Sequence, residues 1–168
     1  FLLAVITTVL VTSQAAAQTY EFDPQHSQII FKVERFGFTK IIGAFSGITG
    51  AVTLNEADPE SSRVEATIDT TTLYTGNQER DQHVGGKFWL NIGEFSQIRF
   101  SSSSVEQTSD STALVTGELS LLGATKPVTL EMRLNRIDND PATKTQAVGF
   151  SGNAVLKRSD FGLMTAQN

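Results

Sequence analysis

Residues 128–134 read Val-Thr-Leu-Glu-Met-Arg-Leu, with apolar and polar side chains in strict alternation. Successive side chains of an extended strand point to opposite faces, so this run predicts a β-strand with one dry face and one wet face. The same alternation occurs in residues 29–33, 64–68 and 113–121. The sequence therefore predicts an all-β protein built from antiparallel strands that share an apolar face.

Turn-forming residues separate these strands. They occur at Asp23-Pro24 and in residues 55–59, 101–112, 123–127 and 139–141. Their spacing is typical of successive hairpins. Residues 75–91 break the alternation with a polar run and predict a short helical insert, and the glycines of residues 43–50 predict a bulge or a sharp bend of the sheet. Periodicity alone leaves a sandwich and a barrel open.

Bulk composition limits the function. The 168 residues suffice for one domain with a full core. There is no cysteine, which excludes disulfides and zinc-thiolate sites. The net charge of -5 comes without a block of basic residues, which disfavours a nucleic-acid partner.

The N-terminus has the pattern of a secretory signal. Residues 1–10 are almost wholly apolar, and Ala15 and Ala17 supply the small side chains that a signal peptidase requires. We expect residues 1–17 to be a partial signal peptide cleaved before Gln18, and the protein to be periplasmic or secreted. The apolar run is shorter than the roughly 20 residues that span a bilayer, so we expect no stable membrane insertion after cleavage.

The order and spacing of several short motifs resemble the YceI-like family of polyisoprenoid-binding proteins. The resemblance covers nearly all of residues 18–168. The matching residues are Asp23, His26, Ser27, Phe31, Gly43, Phe45, Gly50, residues 75–77, Arg80, Asp81, His83, Trp89, Leu90, Ile98, Phe100, residues 117–119, Leu122, Gly123, residues 125–128 and residues 158–162.

The resemblance implies an extended antiparallel lipocalin-like β-barrel whose interior accepts a long apolar chain. It also implies a last strand after residues 158–162, so we expect the domain at residues 18–168 to be truncated before that strand. We predict non-catalytic binding, storage or transport of a polyisoprenoid, quinone-like or fatty chain, with no cofactor and no metal. A homodimer is left open.

The predicted site has an apolar wall and three polar anchors. The wall residues are Phe31, Val33, Phe45, Ile68, Phe100, Leu119, Leu130, Met132 and Phe150, and the anchors are Arg80, His83 and Lys126. From the residues alone, a solid core filled by the aromatic side chains is favoured over an open interior, and the resemblance reverses this preference.

The polar cluster around Arg80, Asp81 and His83 has three interpretations: a structural clamp, a catalytic or metal site, and contact with the head group of a ligand. As a structural clamp, Arg80 would fork onto a carboxylate, and His26 or His83 would bind a loop carbonyl. As a catalytic site, the cluster would belong to an enzyme that acts on an isoprenoid or quinone head group. Two histidines are too few for a usual catalytic zinc site, and no paired nucleophile is visible. A second alternative is a secreted, filled-core barrel that acts through its surface.

Overall fold

A computed structural model describes residues 17–163, in which nine strands and one α-helix occur. The strands are β1 (Gln18–Glu21), β2 (Ile29–Arg35), β3 (Thr39–Phe45), β4 (Gly47–Leu54), β5 (Arg63–Asp69), β6 (Gln97–Ser109), β7 (Thr112–Leu121), β8 (Ala124–Asn139) and β9 (Gln146–Asn153). The helix α1 spans Gln78–Gly85, and short 3₁₀ turns lie at Pro59–Ser61, Thr70–Thr72 and Arg158–Phe161. The predicted signal peptide lies outside the described residues, apart from Ala17.

Seven strands form one antiparallel sheet in the order β1-β4-β5-β6-β7-β8-β9, curled into a nearly closed barrel. The remaining two strands, β2 and β3, form a hairpin of their own. The chain crosses from this hairpin into the large sheet between Phe45 and Gly47, which is where the glycine-rich segment predicted a bend. The predicted all-β fold with one short helix is confirmed.

The hairpin is joined to the rest of the molecule by backbone and hydroxyl contacts. Ala44 and Tyr74 exchange two backbone hydrogen bonds of 2.8 and 3.0 Å. Directly after β3, the backbone N–H groups of Ser46 and Gly47 donate to the Thr72 hydroxyl. These bonds hold the end of β3 against the segment that precedes α1.

The core lies on the inner face of the barrel. It consists of the buried side chains Phe45, Ile48, Ile68, Ile98, Phe100, Val115, Leu119, Leu121, Phe161 and Leu163. Within the strands, the alternation predicted from the sequence accounts for these positions, because inward residues recur at every second position. Phe161 and Leu163 follow the last strand. Phe161 is only 3% exposed, and it lies in the 3₁₀ turn that packs against β8.

The helical insert, residues 73–96, connects the 3₁₀ turn at Thr70–Thr72 to β6 and contains α1. The side chain of Asn77 caps α1 by accepting the backbone N–H of Arg80 at 2.8 Å. Thr70, 1% exposed, secures the other end of the insert: its hydroxyl donates to the Phe95 carbonyl, and its N–H to the Ser96 carbonyl. No helix among residues 17–163 is long and apolar enough to cross a membrane.

Two details of the turn predictions differ from the structure. The polar run 101–112 is mostly strand, because β6 continues to Ser109 and pairs with β7 through two register shifts. Most of its serines and threonines are exposed, and Ser101, Ser102, Ser104 and Ser109 still pair with β7. Pro127 lies inside β8 rather than in the turn. It pairs only with Glu118 of β7, since β9 begins to pair at Glu131, so its missing N–H interrupts no described ladder bond.

The packing predicts a contrast between two phenylalanines. Replacing buried Phe100 by alanine should lower the free energy of unfolding by about 3–5 kcal/mol, because a large cavity is left in the core. Phe38 is 86% exposed, so Phe38→Ala should change it by less than about 0.5 kcal/mol. Urea denaturation followed by circular dichroism measures both. Equal effects of the two substitutions would contradict this assignment of the core.

Candidate functional site

The register of β7 with β8 places several predicted wall residues on one face. Val115 lies opposite Leu130, Ala113 opposite Met132, and Leu119 opposite Lys126. Directly opposed residues of an antiparallel pair project to the same side of the sheet. Since Val115 and Leu119 belong to the buried core, this row is the inner face of the barrel.

The nine predicted wall residues differ in burial. Val33 and Phe150 are half-buried and lie outside the packed core cluster. The other seven belong to that cluster or pack against it: Phe45, Ile68, Phe100 and Leu119 are buried, whereas Phe31, Leu130 and Met132 are half-buried. The predicted wall residues therefore change from buried in β3 and β5–β7 to partly exposed in β2, β8 and β9.

Glycines on neighbouring strands let three of these side chains lie flat. A Cβ at Gly43 would overlap Cζ of Phe31, and one at Gly152 would overlap the sulfur of Met132. At Gly117 it would come within 2.7 Å of Cζ of Phe100. A ring or thioether that covers a glycine runs along the sheet instead of projecting into the interior. Sequence reasoning noticed Gly43 only as a bend signal and missed this role of Gly117 and Gly152. A glycine within an alternating strand was the available signal.

Lys126 is the predicted anchor that shares a face with the wall. It stands on the inner row of β8, between Ala124 and Val128 and opposite Leu119, with its side chain exposed. The nearby Gly123 packs against the ring of Phe95, which belongs to the insert. The ammonium group is therefore carried at the end of the apolar row that lies near Phe95.

Arg80 and Asp81 form a clamp on Thr75. Arg80 donates from Nε to the Thr75 hydroxyl at 2.8 Å and from a terminal nitrogen to the Thr75 carbonyl at 2.6 Å. Asp81 accepts from the N–H and the hydroxyl of Thr75 at 2.8 and 2.6 Å. The structural clamp is present, but the prediction that Arg80 binds a carboxylate is wrong. Arg80 binds Thr75 instead, because the two donor groups of a guanidinium can also bind the hydroxyl and the backbone carbonyl of one threonine.

His83 contacts an aromatic ring of the insert. Trp89 donates its indole N–H to Nε2 of His83 at 3.0 Å, and the two ring centres are 5.7 Å apart. Nε2 is thus an acceptor, which puts the proton of the neutral imidazole on Nδ1. The guanidinium of Arg158 lies 5.8 Å from the centre of the Trp89 ring. The bond that sequence reasoning expected from a histidine to a loop carbonyl is replaced here by this indole contact.

His26 pairs with Asp23 on the surface at 2.6 Å between Nδ1 and Oδ2. This hydrogen bond raises the pKa of His26 above 6.5 and lowers the pKa of Asp23 below 3.8. The stabilisation by His26 is complete below pH 6.5 and is lost as the pH rises through its raised pKa. The stabilisation by Asp23 is complete above pH 3.8 and is lost as the pH falls through its lowered pKa. Both side chains are exposed, so the pair contributes little.

Among the surface depressions of the described residues, two lie along the strands β5–β7 or at their ends. The larger, about 340 Å³, opens on the outward side of β5–β7, and Phe100 is the one predicted wall residue that borders it. The smaller, about 270 Å³, lies beside Phe95 and Gly123. No group of three or more histidine, aspartate or glutamate side chains within residues 17–163 is arranged to hold a metal ion.

The clamp predicts a structural effect for Asp81. Asp81→Ala should lower the free energy of unfolding by about 1–3 kcal/mol, because the buried Thr75 loses two acceptor contacts. Glu79→Ala, at an exposed position of the same helix, is the matched control and should have an effect below about 0.5 kcal/mol. Thermal or urea unfolding measures both variants. An Asp81 variant as stable as the control would contradict the clamp.

Similar proteins are found over most of the chain. The UPF0312 protein of Pseudomonas savastanoi is 35% identical over 163 residues, which cover 96% of this chain and 84% of that protein. The UPF0312 protein of Yersinia enterocolitica is 37% identical over 153 residues, covering 90% and 79%.

Solved structures share the fold. The Campylobacter jejuni YCEI protein superposes with a TM-score of 0.71 at 23% identity, covering 89% of this chain and 86% of that one. Burkholderia cenocepacia BcnA gives a TM-score of 0.74 at 24% identity and covers 86% of each chain. The model of the YceI-like domain matches residues 20–168. On this match and on the similarity to the UPF0312 proteins, the chain belongs to the YceI-like domain family.

Proposed function

We propose that this protein binds a long apolar ligand inside its barrel and stores or transports it without chemical change. The ligand is a polyisoprenoid, a quinone-like molecule or a fatty chain. Membership of the YceI-like family is consistent with hydrophobic ligand binding, since the family generally consists of binding proteins. The observation that carries the proposal is the half-buried apolar row on β8 and its neighbours.

The row has the length and chemistry that an apolar chain requires. Val128, Leu130, Met132 and Leu134 occupy every second position of β8 and are all half-buried, and Phe150 of β9 lies opposite Leu134. At about 3.3 Å per residue the row extends for roughly 20 Å. Each methylene that moves from water onto such a surface contributes about 0.8 kcal/mol when fully buried.

Lys126 gives the row a polar end. An ammonium group next to an apolar strip suits a ligand with an anionic head, such as a prenyl phosphate or a fatty acid. Arg80 and His83 are less suited to this role. The guanidinium of Arg80 already donates to Thr75, and Nε2 of His83 already accepts from Trp89.

The signal-like N-terminus supports export. We propose that the mature protein begins at Gln18 and works in a periplasm or outside the cell, where a carrier shields an apolar chain from water. The enzymatic alternative has less support, because Arg80 and Asp81 hold a loop.

A filled-core barrel that acts through its surface is the second candidate. The burial of Phe45, Ile68, Phe100 and Leu119 in one packed cluster favours it. The larger depression also opens on the outer face. The two candidates differ in one measurable property, which is whether the interior takes up a lipid.

The glycine under Phe31 provides the test. In Gly43→Ala the new methyl group would displace the Phe31 ring from the sheet into the interior, where it competes with the ligand. Retention of a polyprenyl phosphate after gel filtration should fall about tenfold, equivalent to the loss of roughly two buried methylenes. Gly149→Ala is the matched control, because its nearest neighbour would be 3.9 Å away, and it should retain lipid like the parent protein.

The double variant Gly43→Ala/Phe31→Ala separates a blocked interior from a damaged fold. Removing the ring restores space, so lipid retention should recover, whereas a damaged fold would not be repaired.

Lys126→Gln should weaken retention of the prenyl phosphate about tenfold but leave that of the uncharged prenol almost unchanged. If the parent protein takes up neither lipid, the binding function is wrong and the filled-core candidate replaces it.

A further inference from the structure

The tip of the β2–β3 hairpin exposes two phenylalanine rings. Phe36 is 48% exposed and Phe38 is 86% exposed, on either side of Gly37. Arg35 lies next to them, with its guanidinium carbon 5.3 Å from the centre of the Phe36 ring. Single exposed apolar residues are common on protein surfaces, whereas two aromatic rings at one turn form a small exposed apolar patch.

The backbone of this turn does not favour phenylalanine. Phe38 donates its N–H to the Arg35 carbonyl at 3.0 Å, and the two central residues have φ angles of +50° for Phe36 and +73° for Gly37. This is the geometry of a type I′ turn, which normally takes asparagine or aspartate followed by glycine. A bulky residue at positive φ is strained, and such strain concentrates at functional positions. Phe36 therefore occupies a turn position at which asparagine or aspartate would give a more stable fold.

The charge of the hairpin is opposite to that of the chain. Between Ile29 and Phe45 there are three basic residues, Lys32, Arg35 and Lys40, and one acidic residue, Glu34, which gives a net charge of +2. The whole chain carries -5. The exposed rings are therefore accompanied by local positive charge on an otherwise acidic protein.

An apolar face connects this tip to the interior. Val33 opposes Ile41, Phe31 opposes Gly43 and Ile29 opposes Phe45, so these side chains share one face of the hairpin. Phe45 is buried in the core and contacts the Phe31 ring at 5.4 Å between centroids, whereas Val33 and Ile41 are half-buried. This face therefore runs from the buried Phe45 at the core to the exposed rings at the tip.

We propose that the β2–β3 tip docks on an anionic lipid bilayer, with Phe36 and Phe38 in the interfacial layer and Lys32, Arg35 and Lys40 facing the acidic head groups. Aromatic rings favour this layer, and basic residues near it are attracted to anionic lipid. The apolar face of the hairpin then leads from the bilayer to the barrel. This last step rests on the proposed lipid-binding function, whereas docking itself does not.

Vesicle co-sedimentation of the mature protein, beginning at Gln18, tests docking. The protein should sediment with vesicles of phosphatidylcholine and phosphatidylglycerol, and much less with phosphatidylcholine alone. Phe36→Asn/Phe38→Ser should reduce the apparent vesicle affinity at least about tenfold, because two interfacial rings are lost. Val155→Ser is the control: this residue is 98% exposed outside the hairpin, and its change should leave vesicle binding intact.

Phe36→Asn alone gives a second, independent readout. Asparagine accepts positive φ more readily, so the melting temperature should rise while vesicle binding falls. Binding that is insensitive to both ring substitutions would overturn the proposal. Absence of vesicle binding combined with self-association that the double variant abolishes would also overturn it, in favour of a contact between two copies.

Lipid uptake separates this proposal from the one on which it builds. If docking fails but the protein still retains a detergent-presented polyprenyl phosphate, the docking surface is wrong and the binding function stands. If the protein docks but retains no lipid, docking stands and the ligand-binding function is wrong.

Discussion

The antiparallel register between β7 and β8 is the constraint on which the rest of the molecule depends. It places Val115 opposite Leu130 and Ala113 opposite Met132, so that apolar side chains of both strands face one interior. A shift by one residue would turn Leu130 and Met132 to solvent and bring Glu131 and Arg133 inside. The cost of burying those charges keeps the register unique, and the barrel curls around the face that it defines.

Much of the architecture could be predicted from the chain because it follows from period-two alternation. The strands around Phe31, Ile68, Leu119 and Leu130 and the helical insert after Thr75 are where the sequence indicated them. Periodicity alone did not distinguish a barrel from a sandwich, and the family resemblance was needed to predict the barrel. The end of β6 at Ser109 was missed, because solvent-facing serines in a strand have the composition of a turn.

The candidate site was less predictable, since it depends on which strands become neighbours. Met132 lies over Gly152 because β8 pairs with β9 in one particular register. The sequence does not define the length of the turn between these strands, so this register could not be predicted. The inward position of Lys126 follows from alternation, but Pro127 and the adjacent turn signals concealed it. The indole bond of His83 depends on how the insert folds back, which no local pattern specifies. The packing of the wall therefore could not be predicted from local sequence patterns.

The central claim is that the inner face of this barrel carries an apolar ligand in the cell. Native mass spectrometry of the mature protein purified from its own host, followed by denaturation and organic extraction, tests it most directly. The account predicts a bound mass in stoichiometric amount that is released as a lipid. A bare protein mass, together with no uptake of added polyprenyl or quinone compounds, would contradict it.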